Sequence, residues 1–195
     1  SILLCLRCAA AQFEEATTSA ALTNEHAYCV SAAWGDYDND GYPDLYIAIG
    51  ATSAHTNALY HNNGDGTFTR KGGADVGPVA SDRHDSHACA WIDFNNDGYL
   101  DMLVINGGWS LSRNDLYLNQ GDVTFRSASA GSITSGARFN SWAACADYDG
   151  DGLVDIYVPQ AAGTSSSYYG NLYHASPSGT FTLDKRSPLT TQPIG

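Results

Sequence analysis

The chain has 195 residues, 43% of them hydrophobic, so it can bury one sizeable core or a short array of repeats. Its formal net charge of −12, with only nine Lys and Arg, argues against a nucleic-acid partner, which requires a basic face. The 20 glycines and the absence of a long helical period indicate an all-β protein with many turns.

The first twelve residues contain an apolar run at residues 2–6 and a small-residue run at residues 9–11. This pattern resembles the end of a secretory signal peptide. The segment is too short, and at Arg7 too charged, to span a membrane. We favour an apolar strand that docks on another surface.

Three nine-residue acidic loops recur at residues 36–44, 93–101 and 147–155. Each has oxygen-bearing side chains at positions 1, 3, 5 and 9, and a glycine at position 6 that permits a tight curl. With the backbone carbonyl of position 7, these oxygens form a cage suited to Ca²⁺. The loops therefore predict three Ca²⁺ sites. The predicted ligands are Asp36, Asp38, Asp40, Tyr42 and Asp44; Asp93, Asn95, Asp97, Tyr99 and Asp101; and Asp147, Asp149, Asp151, Leu153 and Asp155.

The loops do not end as EF-hand loops do, with a bidentate Glu at position 12. Position 12 is Ile47, Val104 or Val158, each inside a β-branched and aromatic run that predicts a strand buried on both faces. An acidic, solvated turn would explain one such loop, but not three with matched ligand positions.

The loops also account for much of the acidity, because they contain 11 of the 21 acidic residues. Three bound Ca²⁺ ions would reduce the net charge to about −6. The middle loop has Asn95 where the others have Asp, so we predict that its site is the weakest.

A second motif runs from Leu-Tyr to Thr-Phe at residues 59–68, 116–125 and 172–181. Its central turn residues, set between two short β segments, predict a hairpin. Each repeat thus predicts four antiparallel strands, with the acidic loop between the first two. Such units, apolar on both faces, fit the blades of a β-propeller.

These loops and hairpins, with Trp34 and Trp91 two residues before their loops and Phe13 before the first repeat, resemble the FG-GAP and VCBS repeats. Those repeats form the blades of integrin-alpha-type propellers and of many secreted microbial proteins. The resemblance implies calcium-binding propeller blades and an extracellular setting. It implies little about activity, because such folds serve adhesion, assembly and some enzymes.

One repeat domain is predicted over residues 1–195. It comprises a half blade at 1–17, blades at 26–74, 82–130 and 137–186, and a tail at 187–195. Propellers close with about four to eight blades, so three and a half predict an incomplete propeller or an open blade array.

Other residue clusters give weaker signals. Among the five cysteines, Cys89 and Cys145 are expected either to pair or to remain as buried free thiols. Residues 82–87 mix His, Asp and Ser but are interpreted as a polar connector, and His61 and His174 show no ligand spacing. Trp34, Trp91 and Trp142 are expected to pack between blades.

The leading hypothesis is a non-enzymatic, calcium-stabilised extracellular protein with a structural, assembly or adhesion role. The alternatives are a module that binds glycan or protein through Trp109 or Tyr168 and Tyr169, and a fragment of a larger propeller protein or enzyme. We further predict head-to-tail self-association, as a filament in which residues 2–6 add to an open sheet of the next copy.

Overall fold

The computed structural model describes residues 28–50, 55–107, 112–135, 140, 142–159 and 170–187. These residues form three separate four-stranded sheets, and every strand pairing within them is antiparallel. The prediction of an all-β array of four-stranded units is confirmed. The predicted half blade and the strand at residues 2–6 lie outside the described residues, as do the candidate binding residues Trp109, Tyr168 and Tyr169.

Each sheet is a meander in which the strands lie side by side in chain order. The first sheet contains β1 (Cys29–Gly35), β2 (Asp44–Ile49), β3 (Ala58–Asn62) and β4 (Phe68–Lys71). The second contains β5 (Ser86–Ile92), β6 (Asp101–Asn106), β7 (Asp115–Asn119) and β8 (Phe125–Ser127). The third contains β9 (Ala144–Ala146), β10 (Asp155–Pro159), β11 (Gly170–Ala175) and β12 (Phe181–Leu183).

The sheets pack face to face, and strand β6 shows why its sequence is apolar throughout. All six of its residues are buried. Met102 and Val104 belong to the apolar cluster shared with the first sheet, whereas Leu103 and Ile105 belong to the cluster shared with the third. Because successive strand residues point to opposite faces, a strand sandwiched between two sheets must be apolar at every position.

A short helix (Gly73–Val76) and a 3₁₀ turn (Pro78–Ala80) connect the first two sheets. The buried hydroxyl of Tyr46 donates a hydrogen bond of 2.9 Å to the carbonyl of Val79 in this turn. Gly77 between them has φ = 85°, and a Cβ there would stand 2.4 Å from the carbonyl oxygen of Phe125. Glycine therefore allows both the turn and the close backbone approach.

The predicted hairpins are present as β3–β4, β7–β8 and β11–β12. The turn residue before the Thr-Phe pair has positive φ in all three: 88° at Gly66, 66° at Val123 and 72° at Gly179. Positive φ is a genuine outlier for a β-branched residue, so the second hairpin is strained at Val123.

Two of the three tryptophans expected to pack between blades do not do so. Trp91 is partly buried, but Trp34 is 60% exposed and Trp142 is 66% exposed. Trp34 lies on the face of the first sheet that points away from the second sheet, and no other sheet among the described residues covers that face. Cys89 and Cys145 are free thiols in different sheets and pack beside apolar clusters, as small hydrophobic residues do.

Candidate metal centre

Each acidic loop is curled around the carboxylate at its first position. Asp36 accepts hydrogen bonds from the backbone N–H groups of Asp40 (3.0 Å) and Gly41 (2.9 Å). Asp93 and Asp147 accept the equivalent bonds in their loops. The glycine at position 6 has φ between 87° and 91° in all three loops, which explains its presence there.

The carboxylate at position 9 fastens each loop to the third strand of its sheet. Asp44 accepts hydrogen bonds from the backbone N–H groups of Tyr37 (3.1 Å) and Asn62 (2.8 Å). Asp101 and Asp155 make the corresponding pairs of contacts. All three carboxylates are at most 2% exposed. Position 9 therefore has a structural role that the ligand pattern alone did not predict.

Burial makes these carboxylates costly to ionise. Desolvation raises the pKa of Asp101 to about 7 and that of Asp44 to about 6, although backbone hydrogen bonds to both groups oppose the shift. Desolvation, followed by the charge of Asp40, also raises the pKa of Asp38. A cation among these groups would remove much of this cost.

In the first and third loops, the side chains converge as a cation site requires. Ligand atoms of Asp36, Asp38 and Asp40 lie within 4.8 Å of one another, and those of Asp147, Asp149 and Asp151 do the same. Oδ1 of Asp38 is buried and has no hydrogen-bond partner among the described residues. Convergent carboxylates with an unsatisfied buried oxygen fit a hard cation such as Ca²⁺.

Two histidines that the sequence analysis set aside lie at these same clusters. Nδ1 of His61 is 3.1 Å from Asp38 Oδ2 and 3.3 Å from Asp44 Oδ1. Nδ1 of His174 is 3.3 Å from Asp149 Oδ2 and 3.2 Å from Asp155 Oδ1. Both nitrogens are buried and make no hydrogen bond among the described residues. The dismissal of these histidines as lacking ligand spacing was therefore wrong.

A signal for the histidines was present in the repeat. They follow the Leu-Tyr pair of the first and third hairpins, where the second hairpin has Leu118. The two repeats with histidine have Asp at loop position 3, whereas the repeat with leucine has Asn95. Strand β3 pairs with β2, and β11 with β10, and this pairing carries each histidine to its loop.

The middle loop differs in its internal hydrogen bonds. The amide of Asn95 donates to Asp97 Oδ2 at 2.9 Å and accepts from the backbone N–H of Asp97 at 3.1 Å. Oxygen atoms of Asn95 and Asp97 are therefore hydrogen-bonded within the loop without a cation. The difference agrees with the expectation that the middle site is the weakest, which itself stays a prediction.

The aromatic residues at position 7 cover the hairpin turns. A Cβ on Gly64 would meet the ring of Tyr42 at 2.8 Å, and one on Gly121 would meet the ring of Tyr99 at 3.0 Å. Each ring thus packs where glycine leaves room. The role of the position-7 carbonyls as ligands stays a prediction.

Neighbouring loops are joined by an amide at position 4. Asn39 donates to the carbonyl of Gly98 at 3.3 Å, and Asn96 donates to the carbonyl of Gly152 at 3.1 Å. The loops therefore lie side by side along one edge of the array.

The His, Asp and Ser residues of segment 82–87 do not form a hydrogen-bonded triad among the described residues. Ser86 is buried and its hydroxyl bonds with Asn57 and Asn106, whereas His84 Nδ1 is 2.6 Å from Asp115 Oδ2. Serine and histidine thus engage different partners, and a nucleophile needs a base within hydrogen-bond reach.

Comparison with known families identifies the repeat. A family model described as FG-GAP-like repeat matches residues 36–104 and, again, residues 93–158. Together the two matches cover more than half of the chain. The chain belongs to the FG-GAP-like repeat family. A search of curated proteins found no match.

The FG-GAP-like matches begin and end at equivalent structural points. Each starts at the first aspartate of one loop, Asp36 or Asp93. Each ends inside the strand that follows the next loop, at Val104 or Val158. The family unit thus includes two acidic loops and the contact between their sheets.

The described residues of this FG-GAP-like chain contain no helix long and apolar enough to cross a membrane.

Proposed function

We propose that this chain is a calcium-stabilised extracellular repeat module with a structural, assembly or adhesion role, and that it is not an enzyme. The observation that carries the proposal is the geometry of the acidic loops. In all three, a position-1 carboxylate curls the loop, and a buried position-9 carboxylate fixes it to the sheet. Family membership supports the same ion.

Calcium is the favoured cation because the predicted first-loop and third-loop cages are built mainly from carboxylate oxygens. Hard oxygen ligands in a flexible loop suit Ca²⁺, and extracellular modules bind it with dissociation constants of roughly 10⁻⁴ to 10⁻³ M. A bound ion supplies positive charge to carboxylates that burial would otherwise drive toward the neutral form. An extracellular setting provides calcium in the required range.

A structural role is favoured because the carboxylates at loop positions 1 and 9 accept the backbone hydrogen bonds that shape each loop. Asp36, Asp44 and their equivalents are held by backbone N–H groups, which fixes them as parts of the fold. Self-association, including the filament through residues 2–6, belongs to the proposal as an assembly role.

Calorimetric titration with CaCl₂ tests the metal sites, and thermal melting with and without chelator tests their purpose. We expect three sites and a marked fall of the melting temperature in chelator, because binding to the native state alone adds RT ln(1 + [L]/Kd) per site. Asp38→Asn should weaken one site. Asp65→Asn is the matched control, because Asp65 lies in the hairpin turn and bonds with Thr67.

A stoichiometry of zero would refute calcium binding, and an unchanged melt in chelator would refute a stabilising role. Equal effects of Asp38→Asn and Asp65→Asn would show that the acidic loops are not distinguished from ordinary turns.

A further inference from the structure

The contact between the first two sheets centres on one tryptophan. Trp91 of β5 stacks on Tyr37 with ring centroids 6.1 Å apart and planes 8° apart, and it meets Tyr46 edge-on at 6.0 Å. Its Nε1 donates a hydrogen bond of 3.2 Å to the carbonyl of Ala33. Ala33, Tyr37 and Tyr46 therefore form a hollow that the indole fills.

The third sheet has an equivalent hollow on its outward face. Counted from the acidic loops, Ala144, Tyr148 and Tyr157 occupy the positions of Ala33, Tyr37 and Tyr46. With Leu172 among their neighbours, they line a cavity of about 320 Å³. Tyr148 is 53% exposed, whereas Tyr37 is 1% exposed. The difference reflects the indole that covers Tyr37.

The first sheet carries the matching tryptophan on its own outward face. Trp34, like Trp91, stands two residues before its loop. Phe68 of the same sheet holds it at a centroid distance of 5.9 Å, as Phe125 holds Trp91 at 6.1 Å. Trp34 thus has the same intrasheet aromatic neighbour as Trp91, but it remains 60% exposed.

We propose that copies of this chain join head to tail, with Trp34 of one copy entering the hollow of Ala144, Tyr148 and Tyr157 on the next. The occupant is a second copy because both halves of the contact lie on one chain and repeat its internal sheet-to-sheet contact. The interface is heterologous, so its rotation decides between a ring and a filament.

Trp34 offers a junction for head-to-tail assembly that is an alternative to the strand addition by residues 2–6. This inference rests on the assembly role proposed above, but not on calcium occupancy.

The junction is weaker than the internal contacts for two identifiable reasons. Ala146 replaces Gly35, where a Cβ would stand 2.5 Å from Trp91, so Trp34 must sit further out. Gly150 replaces Asn39 and Asn96, so the loop-to-loop amide bond is lost. The assembly should therefore dissociate on dilution.

Sedimentation velocity of the full chain in CaCl₂, over a concentration series, tests the proposal. The wild type should sediment as oligomers that dissociate on dilution. Trp34→Arg and Ala144→Arg should each be monomeric, because each places a charge in one half of the contact. Mixed together, they should form a 1:1 complex through their one intact junction. Val123→Arg, at an exposed apolar site in the second hairpin, should leave the association unchanged.

A monomeric wild type, or Trp34→Arg and Ala144→Arg variants that each associate as the wild type does, would overturn the proposal. Calcium titration and melting of the same variants keep this result separate from the metal proposal. Variants that bind calcium as the wild type does but fail to pair support the interface, whereas failure of calcium binding in the wild type refutes only the metal sites.

Discussion

Nδ1 of His61 lies 3.1 Å from Oδ2 of Asp38, close to the distance that separates two ligands of one small metal ion. With metal–ligand bonds of about 2.0–2.1 Å in a tetrahedral site, neighbouring ligand atoms are about 3.3 Å apart. His174 repeats the arrangement with Asp149 at 3.3 Å. The first and third sites therefore have a nitrogen donor that the middle site lacks.

We predict that Zn²⁺ binds at two of the three loops, because imidazole nitrogen suits zinc better than calcium. Calorimetry with ZnCl₂ should give two sites, and His61→Leu with His174→Leu should remove both. These variants reproduce Leu118 of the middle repeat, so they should still take up calcium. Three zinc sites, or two that survive both substitutions, would contradict the assignment.

The fold was largely predictable because its signals are local. The acidic loops, the two-sided apolar runs and the Leu-Tyr to Thr-Phe hairpins each occupy fewer than a dozen residues. Those three features recur in the same order in every repeat. Antiparallel pairing through short connections follows from that order.

What the sequence did not reveal depends on contacts between strands and sheets. His61 reaches Asp38 only because β3 pairs with β2, and the spacing of residues along the chain does not show that pairing. Trp34 and Trp91 have the same local sequence position. Only the number of neighbouring sheets distinguishes the exposed side chain from the packed one.

Metal-free protein should lose stability as the pH rises. Burial raises the pKa of Asp101 to about 7, above its usual value of 3.8, so the folded state binds that proton more tightly than the unfolded state does. Its contribution is fully present below about pH 4 and is lost as the pH passes 7. Asp44, with a pKa of about 6, acts in the same direction over a lower range.

Urea unfolding in chelator from pH 4.5 to 8 measures this dependence. Asp101→Asn should flatten the decline, and calcium should suppress it in the wild type by favouring the carboxylate. Asp122→Asn is the control, because Asp122 is an exposed hairpin residue whose pKa is lowered by Thr124. A decline equally steep in Asp101→Asn and wild type would exclude Asp101 as its source.

Val123→Gly should stabilise the protein by about 1 kcal/mol. Val123 has φ = 66°, where a left-handed conformation costs a non-glycine residue roughly 1–2 kcal/mol. The side chain is 45% exposed, so its removal forfeits little packing. Urea unfolding measures the change, with Gly66→Val as the reciprocal variant, which should destabilise the first hairpin. A stabilisation absent from Val123→Gly would show that the turn relaxes without strain.

Trp91→Ala should destabilise the protein by about 3 kcal/mol, the lower end of the range for removing a large aromatic side chain. It empties the hollow between Tyr37 and Tyr46 and leaves the carbonyl of Ala33 without its indole donor. Trp34→Ala is the matched control, because the same residue type at the equivalent position has no hollow to fill within its own copy. Measured by urea unfolding at a concentration where the chain is monomeric, Trp34→Ala should cost less than about 1 kcal/mol. Equal losses for the two variants would mean that Trp34 is already buried within its own copy, and Trp34 could not then enter the hollow of another copy.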